Sequence, residues 1–407
     1  MKTKIYFPGL NGIRFLASMA VLFCHAEMNK HCFGLPNLYA DSFVGGVLGD
    51  IGVILFFVLS GFLITYLLLA ENHQFGTINI RHFYVRRILR IWPLYYLIVI
   101  VSLFILPQSD FFYVPGDSET VQTHFWPKAI LFLAFLPNIP YALYDHVPFA
   151  NQSWSIGVEE QYYLIWPAVI LLSLRYRKLL FALLATGAIY LLVKALIIFS
   201  NLSYPGGFDD SPVFQFWFHF NIDCMAIGGI AAYILYYKKQ RALRFLFHPA
   251  TQIATIMGLT YLTLRGILVE FIGFEIYGVL FAVIILNIAA NPRSILKLEN
   301  SWLDYLGKIS YGIYMYHNLM MLIALKLIML FTDLSFGNPL TEALYYVLTI
   351  GFTLLISAVS YHGFERRFIT LKVRYSPVVS GDNVNQLPSD TPKPVADWPQ
   401  TVKPSNG

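Results

Sequence analysis

The chain has 407 residues, of which 57% are hydrophobic, 17% aromatic and only 13% charged, with a formal net charge of +5 and a mean hydropathy of +0.59. Soluble domains carry about a quarter charged residues, so the composition excludes an ordinary soluble enzyme and points to an all-α polytopic membrane protein. The basic residues flank apolar runs and form no stripe with interleaved aromatics, which argues against a nucleic-acid partner and for the lipid bilayer.

Ten apolar segments are long enough to cross a hydrocarbon core, which takes about 20 helical residues. They are 12–30, 44–70, 83–106, 156–174, 179–199, 213–237, 250–268, 271–290, 305–331 and 341–363. The basic start Met1-Lys-Thr-Lys leads into a long apolar run without a small-residue cleavage site, so no cleavable signal is expected. The first segment contains Arg14 and His25. At about 100° per residue, eleven steps return nearly to the same helix face about 16 Å further on. Two readings stand: interfacial snorkelling of unrelated residues, or a fixed cation and a titratable base on one functional face. Cys24, Cys32 and Cys224 make no metal-ligand spacing and read as buried thiols; no metal is expected.

The second segment holds Phe56-Phe-Val-Leu-Ser-Gly-Phe-Leu-Ile64. Its Ser60-Gly61 reads as a close-packing point between helices, since Ser60 lacks the flanks of a nucleophile elbow. The third opens with Arg86, Arg87 and Arg90, which suit either phosphate binding or anchoring to anionic lipid. Residues 107–153 form a long loop, with Ile130–Leu136 between Pro127 and Pro137 as a dipping, non-spanning piece. The fourth segment begins Asn151-Gln-Ser-Trp-Ser-Ile-Gly-Val-Glu-Glu-Gln-Tyr-Tyr. Glu159 and Glu160 cannot both face lipid, so this stretch is either an interfacial aromatic belt or the wall of a polar cavity. In the ninth segment Ser310, Tyr314 and His317 share a helical stripe. Glu365-Arg-Arg-Phe closes the tenth as an interfacial anchor.

Loop charge orients the ten spans. Lys2 and Lys4, Arg81 to Arg90, Arg175 to Lys178, Lys238 to Arg244, Arg293 with Lys297, and Arg366 to Arg374 fall on one side. Asp110, Asp117, Glu119, Asp209, Asp210 and Asp333 fall on the other. The positive-inside rule then puts both termini in the cytoplasm. An eleventh span at 128–144 would invert everything after it. The domain is expected over 1–372 and a disordered cytoplasmic tail over 373–407, where Pro, Ser, Asp and Asn replace apolar periodicity.

Taken together and in order, these stretches resemble the acyltransferase-3 family of integral membrane acyltransferases. The carriers are Arg14 with His25, the stretch 56–63, Arg86-Arg-Ile-Leu-Arg-Ile-Trp-Pro93, 154–163 with Ile156 and Tyr162 as conservative departures, and Ser310-Tyr-x-x-Tyr-x-x-His317. The resemblance spans about residues 5–370. It implies transfer of an acyl group, usually acetyl, from cytoplasmic acyl-coenzyme A to a hydroxyl. The acceptor would be a cell-surface carbohydrate, lipid-linked or polymeric, such as lipopolysaccharide O-antigen or exopolysaccharide. The implied home is the bacterial inner membrane.

On this reading His25 is the general base, with an acyl-histidine intermediate as the alternative. Arg14 stabilises the thioester carbonyl or holds the donor. Glu159 orients His25 or pairs with an arginine. Arg86, Arg87 and Arg90 grip the phosphates of acetyl-coenzyme A, and the acceptor contacts Trp154, Gln161, Tyr311 and His317. Without the ordered motifs, a proton-coupled transporter or flippase of a sugar-containing substrate would want the same intramembrane His, Arg and Glu.

Overall fold

Each of the ten predicted segments is helical in the computed structural model, which describes residues 3–39, 42–144, 146–202, 204, 207–269, 271–331, 336–376 and 378–380. Lys2, Asp333 and the tail from 381 onward lie outside the described residues. The principal helices are α1 (Leu10–Cys32), α2 (Gly49–Phe75), α3 (Ile80–Ile100), α4 (Trp154–Arg175), α5 (Leu179–Ser200), α6 (Ile222–Tyr236), α7 (Pro249–Leu264), α8 (Gly273–Ala290), α9 (Ser310–Phe331) and α10 (Pro339–Ser360). Among the described residues, seven helical stretches are long and apolar enough to cross a membrane by length and composition. The other three are α7, with 16 residues, and α1 and α4, which carry polar site residues.

Two predicted segments are broken. The sixth divides into Pro212–Phe220 and α6 at Asn221, whose φ of 30° and ψ of 37° are left-handed. Asn tolerates that region through local hydrogen bonding, and a periodicity count does not register it. The ninth divides into Ser301–Lys308 and α9, with Ile309 between them.

Helix α2 is the hub and packs against α1, α4, α6 and α8. Two glycines explain the contact with α6. A Cβ at Gly61 would sit 1.9 Å from the Met225 carbonyl oxygen, and one at Gly228 would sit 2.0 Å from that of Val58. Small residues that let backbones touch are how helices associate where lipid removes the hydrophobic drive. Ser60-Gly61 is thus the packing point the sequence suggests.

The loop 107–153 contains the short helices Phe125–Leu133 and Asn138–Leu143, neither long enough to span. It is pinned to α3: Tyr95 Oη donates to the Phe132 carbonyl at 2.7 Å, Tyr96 Oη to that of Leu133 at 3.0 Å, and the Phe135 ring stacks on Tyr95 at 3.8 Å.

At the chain ends, strand β1 (Thr3–Ile5) pairs in parallel with β2 (Val378–Ser380). Arg86 Nη1 donates to the Tyr375 carbonyl at 2.9 Å. Residues 373–376 and 378–380, assigned to the tail by composition, therefore fold back onto the helical domain. Strand pairing across 375 positions leaves no compositional trace.

Candidate active site

Helices α1, α2, α3, α4 and α9 enclose a cavity of about 1350 Å³, open mouth included. Its wall is apolar along α2, at Phe56, Phe57, Leu63, Ile64 and Leu67. The opposite wall carries Arg14, Arg87, Arg90, Glu159 and Tyr163. The N-terminal residues Ile5, Tyr6 and Phe7 line it as well, together with Lys372 from the far end of the chain. Four cationic side chains facing one acid suit an anionic ligand with an apolar arm.

The arginines are individually supported. Arg14 Nη1 donates to Asn11 Oδ1 at 2.7 Å, and Asn11 Nδ2 donates in turn to Asp304 Oδ1 at 2.7 Å. Asn11 is pressed against Gly307, where a Cβ would fall 2.1 Å from the Asn11 carbonyl oxygen. The guanidinium of Arg87 lies over the rings of Tyr163 and Phe83, at 5.1 and 5.4 Å from their centroids, a geometry that holds a weakly hydrated cation in place. Its Nε is buried without a hydrogen-bond partner.

Glu159 is held from two helices. Ser60 Oγ donates to Oε1 at 2.8 Å and Tyr163 Oη to Oε2 at 2.6 Å. Arg87 and Arg90 are its cationic neighbours. Its hydrogen bonds go to Ser60 and Tyr163, and among the described residues it forms neither an ion pair within 4 Å with an arginine nor a hydrogen bond to His25. Glu160 points elsewhere, toward Trp92 Nε1 at 3.4 Å.

His25 meets His317. Its Nδ1 lies 2.7 Å from His317 Nε2, and the rings stack with centroids 5.0 Å apart and 16° between planes. Tyr314, one turn earlier on α9, lines the cavity and has its ring centroid 5.8 Å from that of His317. Tyr314 Oη also contacts Ser155 Oγ at 2.7 Å and donates to the Gln152 carbonyl at 2.9 Å. The histidine pair therefore stands just beyond the inner end of the cavity. Gln152 ties this end together, donating to the Met315 carbonyl at 2.9 Å and accepting from Asn318 at 2.9 Å.

Of the expected site residues, Arg14, Arg87, Arg90, Glu159 and Tyr311 line this cavity. Arg86 does not: its Nη2 pairs with Glu71 at 3.0 Å, and it lines a smaller neighbouring recess. Successive helical residues diverge by about 100°, so Arg86 and Arg87 cannot share a face, and Arg87, Arg90 and Ile91 are the ones turned inward. Trp154 is buried in an aromatic cluster with Tyr141, His219 and Phe57. Gln161 exchanges hydrogen bonds with Asn138, at 2.8 and 3.3 Å. Neither reaches the cavity. The predicted stripe of Ser310, Tyr314 and His317 does face one way, two of its members lining the cavity and the third meeting His25. Sequence reading missed Asn11, Tyr163 and Lys372. Tyr163 had a signal, because it stands four residues after Glu159 on one helix. Lys372 had none.

The family described as "Acyltransferase domain", acyltransferase-3, matches residues 7–362. A Bacillus subtilis protein named "Putative peptidoglycan O-acetyltransferase YrhL" is 29% identical over 379 residues, covering 89% of this chain and 54% of its own length. The "Peptidoglycan O-acetyltransferase OatA" of Listeria monocytogenes is 28% identical over 334 residues, covering 77% and 49%. The "O-acetyltransferase OatA" of Staphylococcus aureus is 26% identical over 389 residues, covering 92% and 58%. The chain thus spans about half the length of the curated relatives it matches. No solved structure matches it.

Proposed function

The chain belongs to the acyltransferase-3 family, and on that premise we propose that it moves an acyl group, acetyl in the simplest case, from cytoplasmic acyl-coenzyme A to a hydroxyl of a cell-surface carbohydrate. The observation that carries this reading is one cavity that begins among cations and ends beside a paired histidine. Peptidoglycan, named for two of the relatives, joins lipopolysaccharide O-antigen and exopolysaccharide as a candidate acceptor. The cavity mouth faces the cytoplasm of a bacterial inner membrane, in keeping with the basic loops at that end.

Arg87 and Arg90 grip the donor phosphates with Lys372 beside them, and Arg14 holds the donor further in. The apolar wall of α2 takes the pantetheine arm. Glu159, fixed by Ser60 and Tyr163, supplies the countercharge that keeps the arginines in place when the donor is gone. His25 takes the proton of the acceptor hydroxyl as its oxygen attacks the thioester carbonyl carbon. The carbon–sulfur bond breaks, and His25 returns the proton to the departing thiolate, so that charge and atoms balance. Trp154 and Gln161 shape the acceptor side indirectly, through the aromatic cluster and Asn138.

Inside-out vesicles holding the protein, given acetyl-labelled acetyl-coenzyme A and a carbohydrate acceptor, test this. Label should pass to carbohydrate, and His25→Ala should lower the rate at least about 10²-fold, as loss of a general base does. Loss of Arg87 or Arg90 should raise the donor KM about 10-fold or more with little change for the acceptor, each removing a charge-assisted contact. Acceptor moved across the membrane without labelling would overturn the reading in favour of transport.

A further inference from the structure

Beside the main cavity lies a recess of about 490 Å³, mouth included, between α2, α3 and the chain end at Lys372, Ser376 and Val378. From α3 the recess takes Phe83, Arg86 and Arg87, and the main cavity takes Arg87, Arg90 and Ile91. The two spaces are thus offset by about one helical turn, roughly 5 Å along the axis. Arg87 and Lys372 line both and mark where they meet.

The recess is polar and positive. Its lining carries Arg86, Arg87 and Lys372 against one acid, Glu71. Glu71 is 3% exposed and both its oxygens are taken: Oε1 accepts from the Asn79 backbone N–H at 2.9 Å and Oε2 from Arg86 Nη2 at 3.0 Å. The lining therefore holds two more positive charges than negative ones. Arg87 adds a buried Nε without a hydrogen-bond partner. A phosphate monoester carries close to two negative charges at neutral pH and three acceptor oxygens, which matches this lining in charge and in kind. Coenzyme A bears a diphosphate and a phosphate monoester on one ribose, so its two anionic groups stand close together.

We propose that the recess binds the ribose phosphate of the acyl donor through Arg87 and Lys372, with the Arg86–Glu71 pair as its fixed wall, while Arg90 faces the diphosphate in the main cavity. This rests on coenzyme A as the donor, and it gives the three arginines of α3 separate tasks. It also gives the returning chain end a purpose. Arg86 Nη1 donates to the Tyr375 carbonyl at 2.9 Å, and Ser376 Oγ donates to the Lys372 carbonyl at 3.0 Å. These bonds, with the pairing of β2 to β1, hold the chain end against α3 and close the outer side of the recess.

The test compares coenzyme A with 3′-dephospho-coenzyme A, each titrated calorimetrically into the purified full chain in detergent, so that no transfer is needed. The unaltered protein should bind coenzyme A at least about 10-fold more tightly, the scale of one charge-assisted contact. Lys372→Gln should cut that preference to about threefold or less, by weakening coenzyme A alone. Lys372→Arg, which keeps the charge, should retain it. Arg90→Gln should weaken both ligands by the same factor and leave the ratio unmoved. Equal affinities in the unaltered protein would overturn the proposal, as expected if a lipid headgroup phosphate fills the recess instead. A ratio that survives Lys372→Gln would overturn it as well, by placing the ribose phosphate elsewhere. Should Lys372→Gln not fold, Arg90→Gln still decides, since a ratio that collapses there would move the ribose phosphate into the main cavity. Binding of neither ligand is a different result, and it counts against coenzyme A as the donor.

Discussion

Helices α2 and α5 are similar in hydropathy and opposite in fate. Their most apolar stretches have mean hydropathies of 2.6 and 2.2, yet 72% of the first is buried in protein and only 17% of the second. Hydropathy measures what a helix tolerates in lipid and says nothing about whether lipid or protein surrounds it. The difference lies in small and polar residues. On α2, Gly61 meets the α6 backbone and Ser60 reaches Glu159 across the cavity. On α5, Gly187 has nothing within 4 Å, and Phe181, Leu184, Leu192 and Leu196 are more than half exposed. A helix becomes central by letting others approach closely.

The strongest way to break this contrast is to fill both glycines. Gly61→Val drives a side chain into the Met225 carbonyl and should abolish recovery of folded protein, read as the monodisperse fraction in detergent. Gly187→Val should change stability by no more than about 0.5 kcal/mol, as an open surface site does. Equal losses would mean that α5 has a partner it does not meet here.

A smaller effect is expected at a point where α5 behaves like a core helix. Lys194 is 1% exposed, donates to the Phe271 carbonyl at 2.6 Å and lies 3.6 Å from Glu275. Asp223 is buried beside them. Lys194→Met strands these acids and should cost about 3 kcal/mol, as removal of one member of a buried pair does, measured by denaturant titration in detergent. Leu192→Ala on the exposed face of α5 is the matched control and should leave the midpoint unmoved.

The smallest effect belongs to Ser60. Ser60→Ala removes one of two donors to Glu159 while keeping the Gly61 contact, so stability should fall by only about 1 kcal/mol. The donor KM should rise more than kcat falls, because Glu159 steadies Arg87 and Arg90. A stability loss matching that of Gly61→Val would show that Ser60 itself packs the helices, and would dissolve the distinction between its hydroxyl and its neighbour's missing side chain.

The helices themselves were legible. Runs of about 20 apolar residues have few alternatives in a membrane, because every backbone group must be bonded within the segment. The place of Glu159 was half legible: the cost of a carboxylate in an apolar helix demanded partners, and in the structure these are the Ser60 and Tyr163 hydroxyls, in a cavity shared with arginines. Arg86 stands apart from Arg87 and Arg90 because Glu71 on α2 offers it a countercharge, a partner on another helix that the cluster's own spacing does not reveal. The break at Asn221 escaped notice because one left-handed residue leaves hydropathy unchanged.

By itself the sequence determined the class, the ten apolar helices, the family and the short stretches from which the cavity is built. Those follow from local quantities: apolar length, the cost of charge in lipid, and residues close together in the chain. Tertiary structure alone decided that His25 meets His317, that Arg87 rather than Arg86 faces inward, and that β2 returns to β1. Each joins positions dozens to hundreds of residues apart. Such a contact depends on how helices rotate and approach one another, which the packing of small residues sets and no single segment encodes.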